Sequence, residues 1–157
     1  CNTYYNTNTR PDGDRTLENE FTDILNLGKI FDVQDKAQAI VDDAKAVIDK
    51  TLTATADVEE KPSVMVLEPL GEDITNYGAK SLGGDMVTQL GATLANPDAS
   101  TVGKEDIIAA NPDVIFVVYM PYAGDDPETV KNDQLAVIQD DEAQQMTERN
   151  SFTEKKR

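Results

Sequence analysis

Hydrophobic and polar positions along this chain follow a helical period in its first third and switch between strand and helix periods after Pro62. Leu17, Phe21, Ile24, Leu25 and Gly28 recur at three- and four-residue spacing, with Thr16 or Asp14 placed to cap a helix and Gly28 to stop it. A stronger pattern follows. Val33, Ala37, Ile40, Ala44, Val47, Ile48 and Leu52 form one apolar stripe, with Asp32 in position to cap it and Asp35, Lys36, Asp42, Asp43, Lys45 and Asp49 on the other side. The spacing predicts a helix of about five turns with one face buried along its whole length. Over Thr53 to Lys61 periodicity lapses and charge rises, as in a connection.

Val64 to Leu67 is a short continuous apolar run, the pattern of a buried parallel strand, and Glu68-Pro69 is expected to end it. A glycine-punctuated loop through Tyr77, Gly78, Gly83 and Gly84 leads to a predicted short helix over Asp85 to Leu90, with Asp85 as cap and Met86, Val87 and Leu90 inward. Lys104 to Ala110 reads as a helix, Asn111-Pro112-Asp113 as its end, and Val114 to Tyr119 as a strand. Asp126-Pro127 has the form of a cap and first helical position, for a helix reaching Val137. At the start, a short strand is expected around Tyr4 and Tyr5, before the turn at Pro11 to Gly13.

Length allows one ordinary domain: 157 residues, of which 39% are hydrophobic, with five Tyr, four Phe and no Trp, so the core is aliphatic and modest. Charge removes whole classes of partner. Fourteen Lys and Arg against thirty Asp and Glu give −16, which opposes binding to nucleic acid or to an anionic membrane surface. No window approaches the roughly 20 apolar residues of a spanning helix. The last fourteen residues, 144–157, carry +2 and leave −18 on residues 1–143; with Met146 and Phe152 as their only large apolar groups they are expected to be disordered or loosely ordered.

Candidate chemistry is narrow. Without His, and with Cys1 as the single cysteine, no Ser-His or Cys-His pair, internal disulfide or Cys-rich metal site can form. The pairs Asp42/Asp43, Asp125/Asp126 and Asp140/Asp141 lack the alternating ligands and glycine of a calcium loop and read as solvated surface. The "SLGGD" glycines could offer amides to an anion or only permit a tight turn; no Lys-Ser or Lys-Thr follows them, which disfavours a Walker-type loop, and Asp85 would repel an anion. No catalytic residue, metal or cofactor is expected.

The succession "FDVQDKAQAIVDDAKAVID", "PSVMVLE", "SLGGDMVTQLGATLAN" and "GKEDIIAANPDVIFVVY" resembles the second half of ABC-importer substrate-binding proteins of the helical-backbone type, over roughly residues 4 to 140. The resemblance implies an α/β fold: a three-layer Rossmann-like lobe with a short parallel sheet, preceded by a long inter-lobe helix, from a truncated two-lobe binding protein. The divisions are then 1–32, a remnant of the first lobe; 33–56, the inter-lobe helix; 57–143, the second lobe; and 144–157, the tail. It implies a non-enzymatic, extracytoplasmic monomer that binds an iron chelate, haem or a corrinoid such as cobalamin and delivers it to an ABC permease. Cys1 would be a lipid-bearing residue of a lipoprotein or an ordinary thiol. Two further readings compete: a truncated orphan or interaction domain with no ligand, and a subunit like nitrogenase-type oxidoreductases, which the shortage of cysteines disfavours.

A cleft ligand on such a sheet sits beyond the carboxyl ends of the strands. Two loops qualify. Glu68 to Gly84 offers Glu68, Tyr77, Lys80 and Ser81; the loop after Tyr119 offers Met120, Pro121 and Tyr122. Tyrosine can ligate ferric haem iron or stack on a macrocycle. The alternative is that Tyr119 packs under a helix and Tyr77 only closes a loop. Family members carry a permease-docking glutamate where this chain has Thr88, and Asp85, one turn earlier, is the candidate substitute.

Overall fold

Thr16 opens the first helix in the computed structural model, which describes residues 15–70 and 73–138. Its hydroxyl accepts from the Asn19 amide, and α1 runs Leu17–Ile30. Gly28 lies inside α1 and does not stop it: a Cβ there would stand 2.5 Å from the Ala37 Cβ, so the missing side chain sets how closely α1 and α2 (Gln34–Ala54) cross. Lys45 then reaches back across the pair, 3.3 Å from a Glu18 carboxylate oxygen and over the Phe21 ring.

Two expectations about α2 need correction. Asp32 is not its cap; it takes a left-handed conformation (φ 56°) in the turn between the helices, and Val33 occupies the cap position without a side-chain bond. The buried line is Ala37 and Val41, continued by half-buried Ala44, Ile48 and Thr51, whereas Ile40 is 48% exposed, Val47 64%, and Val33 and Leu52 are also exposed. At 100° per residue the Ile40–Val47 line lies about 70° round the helix from the buried one. The face that α2 buries is set by its fit against α1 at Gly28, not by where its largest side chains lie.

Beyond the connection, β1 (Ser63–Leu70) is the centre of a five-stranded mixed sheet. It pairs in parallel with β3 (Thr93–Leu94) and β5 (Val114–Val117), and antiparallel with β2 (Asp73–Asn76), which in turn pairs with β4 (Thr101–Val102). The strand does not end at Glu68-Pro69. Pro69 is tolerated because strand alternation turns its missing N–H towards the β5 side, where β5 has already stopped. Strand β2 lies within the stretch Glu68 to Gly84 expected as loop, and two-residue strands such as β3 and β4 carry no period of their own.

Alternation along β1 sends Met65 and Leu67 to one face and Val64, Val66 and Glu68 to the other. The first face packs with Ile74, Val102 and Ile107, backed by Ile115, Val137 and Ile138, and so carries α4 (Lys104–Ala110) and α5 (Pro127–Ile138). The second packs with Val87 of α3 (Leu82–Gln89), with Tyr77, Leu94 and Val118 against it. The result is the expected α/β lobe in three layers, with a sheet only partly parallel. Helices α4 and α5 follow their sequence signals closely: Asn111 ends α4 in the left-handed region, and Asp126 accepts from the amide and hydroxyl of Thr129 at the start of α5. In α3 the inward group is Val87, while Met86 and Leu90 are exposed. Readings that concern Cys1, Tyr4 and Tyr5, the turn at Pro11 to Gly13, the Asp140/Asp141 pair and the tail 144–157 lie outside the described residues.

Candidate functional site

The parallel pairing of β1 with β5 decides which loops meet. Leu67 stands opposite Val117, and the Val118 amide donates to the Leu67 carbonyl at 2.8 Å, so the chain leaving β5 starts beside Glu68. This puts the two strand-end loops on one edge of the lobe.

The first loop is held firmly. The Tyr77 amide donates to the Val66 carbonyl at 2.8 Å, and its hydroxyl donates to a carboxylate oxygen of Glu68. Glu68 is 4% exposed, and Tyr77 is half-buried. Asn76, also buried, spans to the neighbouring loop, its amide nitrogen donating to the carbonyls of Asn96 (2.7 Å) and Ala99 (2.8 Å). Gly84 has no room for a side chain: a Cβ would lie 2.0 Å from the Gly78 carbonyl oxygen. Ser81 caps α3, its hydroxyl accepting from the Gly84 amide and donating to the Gly78 carbonyl, so both of its hydrogen-bonding directions are in use. Lys80 is exposed, and its carbonyl accepts from the Arg15 amide.

The second loop is open. Tyr119 (42%), Met120 (54%) and Tyr122 (75%) are exposed, so Tyr119 does not pack under a helix. Around Tyr122 the backbone is pinned: its amide donates to the Asp125 carboxylate at 2.9 Å, the Asp125 amide donates back to its carbonyl, and Gly124 supplies φ +103°. The structure therefore presents an exposed aromatic ring on a fixed turn, in the loop that leaves the sheet next to the strand carrying a buried carboxylate.

The two docking candidates sit on α3. Asp85 is not the cap of that helix; its carboxylate accepts from the Leu17 amide at 2.7 Å and closes the start of α1, 68 residues away in sequence. Thr88 is exposed, its hydroxyl donating back to the carbonyls of Gly84 and Asp85. Sequence reasoning missed Asn76, whose role depends on Asn96 and Ala99 coming within reach; the only signal was an amide residue directly before the tyrosine.

Two further carboxylates have lowered pKa values. Hydrogen bonds from the Ser63 amide and then its hydroxyl lower Asp113, and bonds from the hydroxyl and then the amide of Thr129 lower Asp126. Asp113 joins the start of β5 to the start of β1, whereas Asp126 caps the start of α5. Among the described residues no cluster of three His, Cys, Asp or Glu could hold a metal, and no helix is long and apolar enough to cross a membrane.

Comparison with known proteins agrees with this architecture. No curated protein matches the chain. Among solved structures, a periplasmic binding protein from Veillonella parvula DSM 2008 is similar at TM-score 0.63 and 24% identity, over 80% of this chain and 46% of that one. S. aureus IsdE complexed with haem is similar at 0.63 and 24%, over 83% and 51%. The petrobactin-binding protein YclQ of Bacillus subtilis is similar at 0.56 and 22%, over 78% and 46%. The chain spans about half the length of these structures. A family model described as periplasmic binding protein matches residues 2–147, so the chain belongs to the periplasmic binding protein family.

Proposed function

We propose that this lobe is the second half of the substrate-binding component of an ABC importer, and that it takes an iron chelate, haem or a corrinoid such as cobalamin on its two strand-end loops. The observation that carries the reading is the juxtaposition on one edge: Met120 and Tyr122 exposed on a pinned turn, next to the rigid loop of Glu68, Tyr77 and Ser81. Similar structures are described as binding haem, petrobactin and an acinetobactin–iron complex, which supports a ligand of this class. In this reading Tyr122 and Met120 lie against the ligand, while Tyr77 and Ser81 hold the loop. The protein works outside the cytoplasm as a monomer. A permease would meet α3 at Thr88; Asp85 could join only by releasing the start of α1.

A micromolar affinity of roughly −8 kcal/mol shared equally between two lobes leaves about −4 for one, the millimolar range. Amide shifts in nuclear magnetic resonance detect binding of that strength. Titration of the 15N-labelled chain with gallium(III) protoporphyrin, a diamagnetic stand-in for haem, should move amides at Tyr77–Ser81 and Tyr119–Asp125. Tyr122→Ala should weaken binding at least about threefold, the loss of ~0.7 kcal/mol of stacking, without lowering the melting temperature. Saturable shifts confined to α1 and α2, or none at all, would refute the site. The second reading, an interaction domain without a ligand, draws on exposed Val114 and Phe116 on β5, and shifts absent with every probe would favour it.

A further inference from the structure

Glu68 stands apart from the other acidic residues of the lobe. It is almost wholly buried, at 4% exposure, and its one hydrogen bond among the described residues comes from the Tyr77 hydroxyl. No Lys or Arg of the described residues pairs with it. Its neighbours on that face of the sheet are apolar, since Val64, Val66, Val87 and Val118 pack there with Tyr77. A carboxylate has room for roughly four hydrogen bonds, and removing one from water with a single neutral donor is costly. With one neutral donor on it, the Glu68 carboxylate keeps acceptor capacity for a cationic or strongly donating group.

Position supplies the second half of the argument. Glu68 lies on β1 at the point where β5 has just ended, with Val118 hydrogen-bonded to the residue before it and the exposed Tyr119, Met120 and Tyr122 next in the chain. The acidic Asp125 and Asp126 follow on the same loop. Of the cations nearest in the chain, Lys80 is exposed and Lys61 donates to the Thr55 carbonyl.

We infer that the Glu68 carboxylate, oriented by Tyr77, receives a positively charged or strongly donating group of the ligand, so that this lobe selects a cationic chelate over a neutral or anionic one. The inference rests on the ligand-binding reading above and names the charge class of the ligand. Tyr77 is the positioning residue, and Glu68 is the one that touches ligand.

Three gallium(III) chelates test it by the same amide-shift titration. The desferrioxamine B complex carries one positive charge on its free ammonium, a ferrichrome-type trihydroxamate complex carries none, and a tris-catecholate carries three negative charges. The cationic complex should bind about tenfold more tightly than the neutral one, the effect of one charge-assisted hydrogen bond, and the tris-catecholate should bind most weakly. Glu68→Gln keeps the shape and can still accept from Tyr77, so it should level the cationic and neutral complexes without lowering the melting temperature. If the wild-type chain binds cationic and neutral complexes alike, if the preference survives in Glu68→Gln, or if gallium(III) protoporphyrin binds and no chelate does, the role given to Glu68 is wrong and the ligand reading stands. If neither the chelates nor the porphyrin binds, the ligand reading itself is wrong, and this inference falls with it.

Discussion

Adjacent residues on α2 separate the face chosen by packing from the face suggested by sequence. Val41 is 2% exposed and Ile40 48%, although Ile40 is the larger side chain and belongs to the more regular apolar stripe. Truncating Val41 to alanine removes two buried methyl groups. At about 0.8 kcal/mol for each such group, plus a share for the cavity left where α1 cannot follow, the loss is about 2 kcal/mol. For a chain of this size each kcal/mol lowers the melting temperature by roughly 2–4 °C, so Val41→Ala should melt about 4–8 °C below the parent. Ile40→Ala removes more carbon, but from a half-solvated position, and should change stability by no more than about 0.5 kcal/mol. Circular dichroism at 222 nm, which reports the helices, follows both melts. Equal losses in the two variants, or a larger one for Ile40→Ala, would mean that α2 is rotated towards the Ile40–Val47 line and that the contact through Gly28 does not set its orientation.

The remaining predictions concern contacts between distant segments. Asp85→Ala should cost about 1 kcal/mol, as for loss of a helix cap, and should speed hydrogen exchange in the first turn of α1 more than in α3, because the lost bond closes α1. Gly84→Ala should unfold the lobe or displace the Tyr77–Ser81 loop, since its methyl would meet the Gly78 carbonyl at 2.0 Å; a melting temperature equal to the parent's would refute that packing. Hydrogen bonds hold the folded pKa values of Asp113 and Asp126 below their unfolded values, so the stabilisation they give is complete above the ordinary carboxylate pKa, about 4, and is lost as pH falls through the lowered values. Asp113→Asn should therefore flatten the acid limb of a stability-against-pH curve while leaving that of Asp126 in place; an unchanged acid limb would contradict the assignment.

Elements whose cause is local were legible in the sequence. The period of 3.6 placed α1 and α2, the run Val114 to Tyr119 placed β5, which stops two residues earlier at Val117, and cap chemistry at Asp126-Pro127 and Asn111-Pro112 placed the start of α5 and the end of α4, because each rests on residues within a few positions of one another. The order of strands and helices was enough to indicate the α/β class and the family resemblance, and the family match over residues 2–147 bears out the latter.

What needed the tertiary structure were the contacts between segments far apart in the chain. Apolar pattern alone puts Ile40 and Val47 on the buried stripe of α2, and the gap left at Gly28 is what selects Val41 instead. Asp85 reads as a cap for its own helix, but the amide it serves belongs to Leu17. Glu68 reads as the end of a strand, and only pairing with β5 on one side and the return of Tyr77 on the other leave its carboxylate buried with a single donor. Local periodicity encodes which residues are apolar or polar in an element, while burial, partner and charge environment depend on what the rest of the chain brings against it.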